Sequence, residues 1–316
     1  MASGGRWDVD GVAASWCAAP VDGPLEAGYR ADELVTPASV MKVQVALTAA
    51  ALIESGELDG TARCRLPARP RTPGPAGMSL MADEIEISVR DLLVPTLTIS
   101  DNVAADALIR LTGLDTVNAT TARLGLKRTR ISSALHPMLD AVAREAGFAD
   151  YASLAAHDPA TDGPPGAAQI RARVARCAAL DPARGSRTTP RETVELLRGI
   201  WKNEAGPPAA CARVRSLMAQ QLTRQRIASG FGTGFTVAAK SGGLLGIVRN
   251  EAGVVTTPGG ACYAVAIFTR SDPERPAEPA TIDTAIGRLA HHLIHHLEHT
   301  GSAGRHTPDF RVDISR

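Results

Sequence analysis

Lysine is scarce in this chain, with four residues against thirty arginines. Two of the four, Lys42 and Lys240, stand inside short motifs. Arginine stays protonated and cannot act as a base, whereas a partly buried lysine can. Lysine retained at such a position points to a neutralisable amine. Net charge is also lacking: 34 basic and 33 acidic residues leave +1. That balance argues against a nucleic-acid partner. No apolar run of about eighteen residues occurs, so no membrane span is expected. The segment Met1-Ala2-Ser3-Gly4-Gly5-Arg6-Trp7-Asp8 lacks the apolar core of a secretory signal. The five cysteines, Cys17, Cys64, Cys177, Cys211 and Cys262, are odd in number and scattered, without metal-ligand spacing. These absences together predict a cytoplasmic, reducing location, with no metal and no other cofactor.

What is present is a set of three motifs. Ser39-Val40-Met41-Lys42 follows Thr36-Pro37 and precedes an apolar run from Val43 to Ile53. Proline in the first turn and a hydroxyl cap predict a helix starting near Pro37 to Ser39. Ser39 and Lys42 then share one helical face. The plain alternative is a capping serine and a solvated first-turn lysine. Ser100-Asp101-Asn102 comes next, after a helix-like run over Ile85 to Ile99 that Pro95 disrupts, and before a second helical pattern from Val103 to Leu111. Asp101 suits a helix cap, which leaves Ser100 and Asn102 to face a cleft. Lys240-Ser241-Gly242 ends a strand beginning at Phe235. Two more strand-like runs follow, Leu245 to Val255 and Ala261 to Thr269, with a Thr-Thr-Pro-Gly-Gly turn between them. That spacing predicts an antiparallel meander. Gly242 and Gly243 permit close approach of backbone or ligand. A solvated edge strand with a charged end is the alternative.

The set S-x-x-K, S-D-N and K-S-G resembles the serine β-lactamase and penicillin-binding-protein superfamily, and class A β-lactamases in particular. Thr188-Thr189-Pro190 with Glu192 to Trp201, and Leu217-Met218 with Gln221, extend the resemblance over roughly residues 10 to 300. It implies an α/β (α+β) fold: an antiparallel sheet flanked by helices, with an inserted all-helical subdomain. Residues 1–36 and 219–300 would form the sheet subdomain and 37–218 the helical one, with an enlarged omega region over 132–187. Residues 301–316 read as a loose tail. The implied roles are Ser39 as nucleophile, Lys42 as its base, and Ser100 with Lys240 as the proton route to the leaving group. Asn102 would orient the donor amide. Backbone N–H groups of Ser39 and Gly243 would hold the oxyanion, and Ser241 with Arg249 an anionic group of the substrate.

The resemblance breaks at deacylation. Class A enzymes carry Glu-Pro-x-Leu-Asn in the omega loop, and that glutamate activates the water that releases the acyl group. Here the matching segment is His136-Pro137-Met138-Leu139-Asp140. His136 is the candidate replacement base, being near neutrality when unperturbed; a solvated histidine beside a turn is the alternative. Asp140 stands where the asparagine is expected.

Three activities stay open. One is a transacylase that passes an acyl group from a small-molecule ester or amide to an amine acceptor. In this the chain resembles the β-lactamase-like transacylases of capuramycin-type antibiotic biosynthesis, which turn a methyl ester into an amide. The second is a hydrolase of esters, peptides or β-lactams with an unusual deacylation base. The third is a non-catalytic β-lactam-binding protein. Oligomeric state is not legible. Near the C-terminus, Ile282, Ile286, Leu289, Leu293 and Leu297 form a core stripe flanked by His291, His292, His295, His296 and His299. A partly packed helix explains those histidines better than a metal site, since no acidic partner is evident.

Overall fold

The computed structural model describes residues 7–302. Five strands make one antiparallel sheet: β1 (Val12–Pro20), β2 (Ala27–Tyr29), and, near the C-terminus, β5 (Thr236–Leu244), β6 (Val248–Thr256) and β7 (Cys262–Ser271). Their order is β2-β1-β7-β6-β5, which leaves β5 on an edge. Between β2 and β5 run α1 (Lys42–Glu54), a hairpin of β3 (Arg63–Leu66) and β4 (Ile85–Ser88), then α2 (Leu93–Thr98), α3 (Asn102–Thr112) and α4 (Leu114–Arg123). There follow α5 (Leu135–Glu145), α6 (Tyr151–Ala156), α7 (Ala167–Val174), α8 (Pro190–Trp201) and α9 (Pro208–Ala219). The last helix, α10, is Pro279–Ser302.

Side chains alternate across a strand. On β7, Val265 and Ile267 join the core beneath α10, together with Trp16 of β1, Ile282, Ile286, Leu289, Leu293 and Leu297. Ala264, Ala266 and Phe268 face the other way, into the larger core that holds α1, α3, α8 and α9. Both faces are covered, so the strands read as near-continuous apolar runs. The stripe expected on the last helix is the face it buries. Its histidine rings contact one another along the helix, His295 and His299 with centroids 4.1 Å apart.

Three expectations need correction. Ile85 to Ile99 is not one helix. Ile85–Ser88 is a strand paired with β3, and a 3₁₀ turn over Val89–Leu92 leads into α2. Pro95 sits in the first turn of α2, where its missing N–H costs nothing, so the break falls after Thr98. Gly301 and Ser302, expected in a loose tail, are the end of α10; residues 303–316 of that expectation lie outside the described range. The segment 136–140 is helical and belongs to α5. Pro137 is tolerated there because a helix's first N–H groups have no intrahelical partner. The Leu135 and His136 N–H groups are instead held by the Asp106 carboxylate, at 2.7 and 2.8 Å.

Residues 135–180 carry a small core of their own. Leu139, Val142, Ala146, Val174, Cys177 and Leu180 pack on Leu244, Ile247 and Val248 at the β5–β6 end.

Candidate active site

The first motif does not begin a regular α-helix at Ser39. Ala38–Met41 is a 3₁₀ turn, and α1 starts at Lys42. Ala38 has φ +49°, a left-handed conformation that a non-glycine residue holds only under constraint. That kink places Ser39 at the mouth of a cleft of ≈ 590 Å³. Lys42 is fully buried, with 0 % of its surface exposed.

Lys42 Nζ reaches the second motif. It donates to the Ser100 carbonyl at 2.5 Å, the Asn102 Oδ1 at 2.6 Å and the Ser100 Oγ at 3.2 Å. Ser100 can present both oxygens because it too is left-handed, with φ +61°. Asp101 fixes that turn from below. Its Oδ1 caps α3 by accepting the Ala104 N–H at 3.0 Å, and its Oδ2 accepts the Met78 N–H at 2.6 Å. Asn102 Nδ2 donates to the Pro73 carbonyl at 2.7 Å, which ties the 67–75 segment to the cleft. Burial pushes the Lys42 amine down to about 7, against Asp101 and Asp106, whose charges favour the ammonium form. An amine at that value is a competent base near neutral pH.

The third motif closes the other side. Lys240, also 0 % exposed, donates Nζ to the Ser241 carbonyl at 2.7 Å. Burial and the nearby Lys42 charge hold its amine well below the usual lysine range. Gly242 is required by distance: a Cβ there would lie 2.9 Å from the Pro37 carbonyl oxygen and 3.3 Å from the Ser39 nitrogen. Ser241 donates its N–H off the sheet edge, to Gln221 Oε1 at 2.5 Å. By the two-residue period of a strand, the Gly243 N–H leaves the same edge. Gly243 lines the cleft with Ser39.

Several supports have no motif of their own. Asn250 donates to the Thr36 and Pro37 carbonyls at 3.0 and 3.3 Å and accepts the Thr269 N–H at 2.9 Å, which pins the turn before Ser39 to β6. Glu251 accepts from Gln221 Nε2 at 2.9 Å and from the Ile227 N–H at 2.6 Å. Asn-Glu, after Arg249 and within a strand that continues as a buried Ala-Gly-Val-Val run, was the available signal for both.

Two candidates, His136 and Asp140, fall elsewhere, while Ser241 and Arg249 stay at the β5–β6 end, Arg249 opposite Gly243. His136 lines a separate cavity with Arg71, Thr72, Asp106 and Arg110, and its Nε2 lies 3.6 Å from Asp140 Oδ2. It does not border the space beside Ser39, because α5 turns Leu135, Met138 and Leu139 to that cleft instead. Asp140 accepts the Tyr151 N–H at 3.2 Å and serves the α5–α6 connection. Ser241 is buried, with its backbone engaged by Gln221 and Lys240. Arg249 is paired with Asp283, Nε to Oδ1 and Nη2 to Oδ2, both at 2.6 Å.

The sheet order, the flanking helices and the serine-lysine cleft define the serine β-lactamase-like superfamily with a class A fold. The chain belongs to the β-lactamase enzyme family, whose model matches residues 8–297. A β-lactamase regulatory protein, BlaB of Streptomyces cacaoi, is 32% identical over 283 residues, covering 85% of this chain and 87% of that one. Among solved structures, a β-lactamase from Sphaerobacter thermophilus aligns with TM-score 0.70 and 23% identity, over 92% of this chain and 93% of that one. PBP-A aligns with TM-score 0.69 and 20% identity, over 92% of each chain. Among the described residues, no helix is long and apolar enough to cross a membrane.

Proposed function

We propose that this protein forms an acyl-enzyme at Ser39 and passes the acyl group to an amine acceptor in preference to water. The observation that carries this is the division of the cleft. A buried amine near pKa 7 stands beside Ser100 and Asn102, while the omega-region wall lines the cleft with Leu135, Met138 and Leu139 and with the hydroxyls of Ser132, Ser133, Tyr151 and Ser186, but with no carboxylate or imidazole. In the first half-reaction, Lys42 takes the Ser39 proton and Oγ bonds to the acyl carbonyl. The ester C–O or amide C–N bond breaks, and the leaving group receives a proton through Ser100. In the second, the amine nitrogen bonds to the carbonyl and loses a proton. The Ser39 C–O bond breaks and Oγ regains its hydrogen. The net conversion of an ester and an amine to an amide and an alcohol balances without a cofactor. Water needs a positioned base to do the same work; a neutral amine needs less help.

A second reading has its own support. The Streptomyces cacaoi relative is called a β-lactamase regulatory protein. An acyl-enzyme formed from a β-lactam and left unhydrolysed is a durable signal, and the same cleft would serve it.

Intact-mass spectrometry after mixing with penicillin G or an activated aryl ester tests the shared core. A single adduct that maps to Ser39 and persists in buffer is expected. An adduct elsewhere, or none with any ester or β-lactam, overturns the reading.

A further inference from the structure

We propose that the acyl group carried on Ser39 is bulky and apolar, an arylacyl or medium-chain group, and that Ala152 and Ala155 of α6 set its size. This rests on the reading of Ser39 as the acylated residue. The cleft at Ser39 holds ≈ 590 Å³. That is the size of a site for a drug-like ligand, and far more than an acetyl group fills. Ser39 and Asn102 line this space, whereas Ser100 and Lys240, both among the described residues, do not. The leaving group takes its proton through Ser100, and the acceptor amine enters where the leaving group departed. The space away from Ser100 is therefore left for the part of the donor that stays bonded to Ser39.

The enlarged omega region supplies one side of that space. On α6, Leu154 is buried and Tyr151 packs on the small core of residues 135–180. Ala152 and Ala155 are three apart, so they share a helical face. They line the cleft with Met138 and Leu139 of α5, and Tyr151 adds an aromatic ring to the lining. Two alanines in a row on this face leave depth that a longer side chain would fill. The serine hydroxyls in this wall have partners: Ser132 Oγ and Ser186 Oγ bond each other at 3.2 Å, and Ser133 Oγ donates to the Ala134 carbonyl at 3.0 Å. On the 67–75 segment, Arg71 is spent on the Pro67 and Met78 carbonyls, and Arg69 is exposed, so its charge stays in water. An aryl or alkyl group can displace water here without stranding these groups.

The test uses para-nitrophenyl acetate, hexanoate and phenylacetate, which share a leaving group. Second-order rate constants for Ser39 adduct formation are divided by each ester's spontaneous hydrolysis rate. The wild-type protein is expected to favour hexanoate and phenylacetate over acetate by about tenfold or more, since each buried methylene is worth about fourfold. Ala155→Phe should cut that preference by about fivefold or more, and Ala152→Phe gives the same reading should the first variant fail to fold. Ala156→Phe, on the same helix but outside the cleft, should change it less than twofold. In a second series, phenylacetate esters of small and large phenols, Ala155→Phe should alter the preference among phenols less than twofold. A wild-type protein that treats acetate and phenylacetate alike, a preference unmoved in folded Ala155→Phe and Ala152→Phe, an equal shift in Ala156→Phe, or an effect confined to the phenol series overturns the inference. Failure of every ester to acylate Ser39 overturns the acyl-enzyme reading itself, and is seen before any ratio is formed.

Discussion

The two walls of the cleft are built from different parts of the chain and by different rules. The wall that holds Lys42 is assembled from α1, the turn before α3 and the edge strand β5. Its polar groups are buried and hydrogen-bonded: Lys42 to Ser100 and Asn102, Lys240 to Ser241, Asp101 to two backbone N–H groups. The wall made by residues 135–180 packs on its own small core and turns Leu135, Met138, Leu139 and Ala155 to the same space. A buried polar network is stable only when its members are satisfied, so the first wall tolerates little change. The second combines apolar packing with a few ties to the rest of the molecule, Asp106 to the start of α5 and Arg270 to the Leu180 carbonyl.

Changes to the polar wall should have the largest effects. Ser39→Ala should abolish the adduct with esters and penicillins, seen by intact mass; an adduct that survives shows that another residue is acylated. Lys42→Arg should slow acylation by about 10²–10⁴-fold, the range for loss of an acid–base group. Stopped-flow acylation at near wild-type rates in that variant would assign the base elsewhere.

On the apolar wall, Met138→Glu introduces a carboxylate beside the acyl group. We expect hydrolysis of the acyl-enzyme to rise by about tenfold or more, at the low end of what a positioned base supplies. Unchanged deacylation, with the fold intact by circular dichroism, would mean that the missing base is not what limits water.

The pH profile separates the walls again. Lys42 acts as a base only when neutral, and its amine sits at about 7. The acylation rate should therefore rise about tenfold per pH unit below 7 and level off above it. A rate that falls as pH rises through this range would remove Lys42 from the role. The smallest effect is expected for His136→Ala, less than twofold on acylation and deacylation, because its imidazole lies in the cavity beside Asp106.

Much of the polar wall was legible in the sequence because its residues come in short, ordered motifs with fixed local geometry. Ser39 and Lys42 are three apart, and Asp101 caps the helix it precedes. The strands after Lys240 were legible because both faces of the sheet are buried. The apolar wall was not. Proline at 137 suggested a loop, yet a distant carboxylate, Asp106, holds the start of α5 and lets it be helical. Which way His136 points follows from that long-range contact, and one residue's rotation about a helix takes it out of the cleft. Arg249 stands on the strand expected for it, opposite Gly243, but its pairing with Asp283, 34 residues further on, was not legible. Ile85 and Ile87 were read with the helix that follows them, because a four-residue strand leaves little period to recognise.

The most direct test of the divided cleft is a partition experiment on a single turnover. The acyl-enzyme is formed with a limiting aryl ester, freed of excess donor, and chased with buffer alone or with buffer and a primary amine. Loss of the Ser39 adduct is followed by mass, and the released acid or amide is counted. The account expects an adduct that is long-lived in buffer and is discharged by the amine with amide as the main product. Discharge in buffer alone at ordinary enzyme rates, about 1–10³ per second, with the acid as product whether or not the amine is present, would contradict it.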